Sequence, residues 1–167
     1  MEIELDIGTP WPAGDWQHLS ERASAALAEV APELANPRLS ASLLLASDEE
    51  VRTLNREWRE RDQPTNVLSF PMLEPEELLA LAPDGPPVLL GDIALAFETC
   101  AREAAEKGID LRDHAAHLIV HGLLHLAGHD HELGPREADA MEALEVKALA
   151  ILGVADPYEG RDQVQGT

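Results

Sequence analysis

A single cysteine, Cys100, stands in a chain of 167 residues. Its isolation excludes an internal disulfide and a thiolate-rich zinc cage, so any bound metal must be held by histidine and carboxylate. Basic residues are also scarce: 12 lysines and arginines face 32 acids, a formal net charge of −20. Such a charge argues against broad, non-specific attraction to nucleic acid. Long apolar runs are missing, and none approaches the roughly 18 residues that a membrane span needs. The N-terminal MEIELDIG alternates acidic and apolar residues instead of opening with a basic region and an apolar stretch. No signal peptide is therefore expected, and the cytoplasm is the default location.

What is present suits one domain. At 167 residues and 45% hydrophobic content the chain can bury a real core, and it is too short for two ordinary domains. Ile3, Leu5 and Ile7 alternate with acids, the period of a half-buried strand. Trp16, Leu19, Ala23, Leu27 and Val30 then recur at helical spacing up to Pro32. Leu39 to Leu45 reads as a second strand. Ser47 with Glu50 forms a capping-box pattern opening a helix through about Arg59. NVLSF, bounded by prolines, predicts a third strand, and LLGDIALAF a fourth, with Gly91 marking a bulge or a close backbone approach. Five of the 12 prolines fall between Pro71 and Pro87, which predicts a surface loop over 72–88. Helices follow over Phe97 to Lys107, Leu111 to Ala127, and from Pro135 until Gly153. Four strands and about five helices, not strictly alternating, predict an α+β domain with a mixed sheet over residues 1–155. The remainder, 156–167, has little to bury and is expected to be a mobile tail.

The chemistry concentrates in HGLLHLAGHDH, His121 to His131. Each helical residue advances about 100°, so His121 and His125 project from one face one turn apart. Gly128 permits a turn back, and His131 arrives as a third nitrogen. Three neutral imidazoles leave a tetrahedral position for water, the arrangement of catalytic rather than structural zinc. Metal binding lowers the pKa of that water toward neutrality, which points to hydrolysis. Histidine nitrogen also suits copper, nickel and iron. His114 and His117 lie on the same face. Each could be an extra ligand or a substrate contact, although a supporting role fits better because three ligands already complete the set. Asp130 either orients an imidazole or caps the turn. His129 is an undecided rim residue.

Metzincin peptidases share the three histidines and the glycine of this pattern, but carry a glutamate base where this chain has Gly122. Without that base, amide hydrolysis loses its proton acceptor. Phosphodiester cleavage depends more on neutralising phosphoryl oxygens, which metal and arginine can do. Arg52, Arg56, Arg59 and Arg61 place four of the 12 basic residues in ten positions. The first two read as a solvated helix face, whereas Arg59 and Arg61, before a loop, are better placed to meet phosphate.

At this point the chain resembles the YbeY family of bacterial endoribonucleases. HGLLHLAGHDH is similar to that family's H-G-x-L-H-L-x-G-x-D-H signature, in which the glycine after the first histidine is normal. LNREWRERDQPTNVLSFP resembles its arginine-containing segment and T-[DN]-V-L-S-F-P strand. LLGDIALA and MEALEVKALAILGVADPY continue the likeness to about residue 158. The resemblance implies one zinc per chain on His121, His125 and His131, with Arg59 as the functional arginine. It further implies cleavage of single-stranded RNA, 3′-end maturation of small-subunit ribosomal RNA, ribosome quality control, and association with the ribosome or small-subunit proteins. His129 stands where the family often has tyrosine. Arg61, His117 and Asp130 remain candidate substrate contacts or supports. Two other readings stay open from the residues alone: a metallohydrolase of peptides or small molecules, and a non-catalytic ribosome-assembly factor with structural zinc.

Overall fold

The computed structural model describes residues 1–60, 65–130 and 133–158. Its four strands are β1 (Glu2–Ile7), β2 (Leu39–Ala46), β3 (Val67–Pro71) and β4 (Val88–Ala96). They form one mixed sheet in the order β1-β2-β4-β3, with β1, β2 and β4 parallel and β3 antiparallel to β4 at one edge. The helices are α1 (Trp16–Val30), α2 (Asp48–Arg59), α3 (Pro75–Ala80), α4 (Phe97–Lys107), α5 (Leu111–Leu126) and α6 (Pro135–Ile151). Among the described residues no helix is long and apolar enough to cross a membrane.

Six helices rather than about five form because the proline-rich stretch is not wholly loop. Pro75 occupies the first turn of α3, where its missing N–H costs nothing, and Glu77 Oε1 accepts the Glu74 N–H at 3.0 Å to cap that turn. A residue type read as a breaker thus starts a helix. The expected capping box of Ser47 and Glu50 opens α2, and Asp110 accepts the Arg112 N–H at the start of α5.

Alternation along β2 sends Leu39, Ala41, Leu43 and Leu45 to the main core, where α1, α5 and α6 pack. The opposite face carries a smaller cluster of Ala46, Val51, Leu68, Ala94 and Ala96 beneath α2. Helix α5 is buried nearly all round, from His114 to Leu126, because it is wedged among the sheet, α1, α4 and α6.

Two glycines set how closely α5 approaches the sheet. Leu89 and Gly91 face the consecutive residues Ser40 and Ala41, so β4 bulges there. A β-carbon at Gly91 would lie 2.5 Å from the carbonyl oxygen of Phe70 and 2.7 Å from Leu126 Cδ2, so the close approach and the bulge coincide. At Gly122 a β-carbon would meet Ile93 at 3.1 Å and Ser69 Oγ at 3.3 Å. The position that carries a catalytic glutamate in zinc peptidases therefore faces the sheet, where a carboxylate has neither room nor water.

Gly91→Ala is expected to cost about 1–3 kcal/mol, since a backbone carbonyl cannot yield as a side chain can. Gly122→Glu is expected to cost on the order of 3 kcal/mol or more, adding a buried charge to the overpacking. Urea unfolding midpoints measure both, and a wild-type midpoint for Gly122→Glu would contradict the tight helix-on-sheet packing.

Candidate metal centre

The histidines of α5 form a stripe, because spacings of three and four residues return to one helical face. The stripe runs from the interior outward. His114 is 1% exposed and His117 8%, while His121 and His125 are half-buried. The rings meet edge to face, with centroids 6.2 Å apart from His114 to His117 and 6.5 Å from His117 to His121.

Each end of the stripe rests on a glutamate. His114 Nε2 lies 2.9 Å from Glu103 Oε1, which also accepts from Asn66 Nδ2 at 3.1 Å. Burial pushes the His114 imidazole down, so it stays neutral and donates from Nε2. Burial alone would push the Glu103 carboxyl up, but the hydrogen bonds from His114 and Asn66 hold it below its usual range.

Glu145 of α6 serves the other end. Only 1% of it is exposed, yet its carboxylate takes three donors. Oε1 lies 2.9 Å from His121 Nδ1 and 3.1 Å from His117 Nε2, and Oε2 accepts the Tyr158 hydroxyl at 2.8 Å. Burial pushes this carboxyl up, but the hydrogen bonds from His117 and His121 outweigh it, and Glu145 is held at about 2. An ionised carboxylate only accepts, so both imidazoles donate to it. For His121 that places the proton on Nδ1 and leaves Nε2 as the nitrogen able to ligate a metal.

The donor set fits a borderline cation such as zinc: two imidazoles one turn apart at the open end of the stripe, one already in the ligating tautomer. Among the described residues no group of three histidine, cysteine, aspartate or glutamate side chains is assembled to hold a metal. His131, the expected third ligand, lies outside the described residues, as does Arg61. Cys100 contributes no ligand. Burial first, then the charges of Glu103 and Asp48, push its thiol up to about 12.

Beyond the helix, Gly128 turns the chain with φ of 102°, and a β-carbon there would strike Pro75 Cγ at 2.7 Å. The turn, α3 and His125 enclose a cavity of about 330 Å³ whose lining includes Met72, Glu74, Glu77 and Asp130. His129 lines the same cavity, with Nε2 3.3 Å from Glu33 Oε1. Arg59, the last residue of α2, donates to the carbonyl oxygen of Ser69 and stacks over the Phe70 ring at 5.5 Å. Ser69 in turn places its hydroxyl against the Gly122 carbonyl at 3.5 Å. Arg59 is thus anchored to the strand on which the His121–His125 turn packs.

Sequence reasoning passed over Glu145 and Tyr158. The signal for the first was available: Glu145 falls in the buried stripe of α6 with Met141, Ala148 and Leu149, where the pattern calls for an apolar residue. Tyr158 lay within the stretch expected to be a mobile tail. It is hydrogen-bonded to Glu145, and residues 159–167 lie outside the described residues.

Comparison with known proteins follows the same outline. A family model described as endoribonuclease YbeY matches residues 12–153. The endoribonuclease YbeY of Erythrobacter litoralis is 62% identical over 161 residues, covering 96% of this chain and 99% of its own. That of Novosphingobium aromaticivorans is 57% identical over 162 residues, covering 96% and 97%. A Thermotoga maritima protein whose structure was solved in solution superposes with a TM-score of 0.59 at 25% identity, over 99% of this chain and 95% of that one. With the family model spanning residues 12–153 and both relatives covering 96% of the chain at well over half identity, the chain belongs to the endoribonuclease YbeY family.

Proposed function

We propose that the protein is a zinc-dependent endoribonuclease of single-stranded RNA, acting in the cytoplasm in 3′-end maturation of small-subunit ribosomal RNA and in ribosome quality control. Cleavage of RNA is what the family's name describes. The observation that carries the metal reading is the pairing of His121 and His125 at the open end of the stripe, with the Nδ1 of His121 held by Glu145.

His121, His125 and His131 would hold one zinc per chain. The ion would supply Lewis-acid polarisation of a phosphoryl oxygen and activation of water. The protein's own part is orientation and charge. Arg59 brings a permanently charged, planar guanidinium whose fork suits phosphate, and its bond to Ser69 fixes it beside the β3 edge. Arg61 serves as a second phosphate contact, and Asp130 as a carboxylate orienting an imidazole. The peptidase alternative loses its base, because position 122 is packed against Ile93. With a net charge of −20 the chain has little affinity for RNA by electrostatics alone. Basic proteins of the small subunit would supply the docking that the acidic surface cannot.

The test is cleavage of a single-stranded ribosomal RNA precursor fragment by purified protein, with zinc content measured on the same samples. His121→Ala is expected to lose both zinc and activity. Arg59→Glu should keep its zinc while cleavage falls on the order of 100-fold or more, and the same sequence in a duplex should resist the wild type. Full activity in both variants would place the cleavage elsewhere.

A further inference from the structure

Glu145 is an expensive residue for its place. It sits 1% exposed in the apolar stripe of α6, where a leucine would fill the same space without burying a charge. If its role were packing alone, nothing would dictate which donors satisfy it. Instead its two oxygens gather three side chains, and one of them is the imidazole at the open end of the stripe. His117 shares Oε1 with His121, and its Nε2 also lies 3.2 Å from the Tyr158 hydroxyl. The other nitrogen of His117, Nδ1, is buried with no hydrogen-bond partner among the described residues. His117 thus gives its Nε2 to Glu145 and Tyr158 and keeps its Nδ1 out of solvent.

We propose that Glu145, His117 and Tyr158 form a positioning unit for His121: the carboxylate holds its Nδ1–H and ring plane, while His117 and the Tyr158 hydroxyl hold the carboxylate. This rests on the zinc reading above and assigns His117 as an anchor of the support rather than a ligand or substrate contact. The physical effect is twofold. A proton fixed on Nδ1 removes the wrong tautomer, and the hydrogen bond to an anion makes Nε2 a better donor to a cation. Tyr158 extends the unit to the segment beyond α6, closing the carboxylate's second oxygen against competing water.

Glu145→Gln, which keeps size and shape, and Tyr158→Phe, which removes one hydroxyl, separate this role from a structural one. Two quantities are read on each folded protein: zinc affinity, by competition with a chromogenic chelator, and the ring ¹⁵N shifts of His121 in the metal-free state. Glu145→Gln is expected to weaken zinc binding ~10–100-fold and to shift His121 away from a pure Nδ1–H tautomer. Tyr158→Phe should move both in the same direction by a smaller factor. Wild-type affinity and wild-type ring shifts in Glu145→Gln would overturn the proposal, even with a lowered melting temperature. Should that variant not fold, the same pair of unchanged readings in Tyr158→Phe overturns it. If the wild type itself binds no zinc, the metal reading falls, while the ring shifts of the metal-free proteins still decide the tautomer.

Discussion

The site depends on the distance at which one helix lies from the sheet. Helix α5 must be the centre of the core and the carrier of the histidines at once. Gly91 and Gly122 make that possible by letting helix and strands approach to where a β-carbon would collide. At that depth the apolar faces of α5 are sealed by Ile93 and the helices around it, and the polar side chains along its buried length are those of His114, His117, His121 and His125. The same closeness that removes a peptidase's base at position 122 is what holds two imidazoles steady against a rigid backing.

A polar stripe inside a core has to be satisfied, and the chain does so with two acids from different helices. Glu103 serves the deep end and Glu145 the open end. Both carboxylates are held below their usual range although burial opposes it, so both remain anions opposite imidazole donors. In a protein of net charge −20 the acids on the surface repel one another, whereas Glu145 lies inside, Glu103 is part-buried, and both are used. Arg59 is the counterpart on the outer side: a cation at the end of α2, tied to β3 through Ser69 and resting on Phe70.

Much of this was readable from the residues. The strands, the long helices and their caps follow from local periodicity and capping chemistry, which is why α1, α2, α4 and α5 begin or end where Trp16, Ser47, Gly108 and Asp110 say they should. Helix α3 escaped because proline carries opposite meanings inside a helix and at its first turn, and only the three-dimensional cap distinguishes them. The histidine face was legible because helical geometry is local. Glu145 and Tyr158 were not, since their importance lies in contacts 24 and 41 residues distant along the chain, with His121 and His117. Periodicity marks an acid in an apolar stripe as odd without saying what it meets.

The tie between Tyr158, Glu145 and His121 also orders events in time. A ribosome releases His121 first, Glu145 only 24 residues later and Tyr158 another 13 after that. Until those residues have emerged, the Glu145 carboxylate is not there to meet His121 Nδ1 and α5 has no last helix to lean on. The deep end of the stripe can meet Glu103, which precedes it in the chain, whereas the His121 ring acquires the geometry set by Glu145 only with the closing steps of folding. Docking of the last helix and fixing of the His121 ring are the same event.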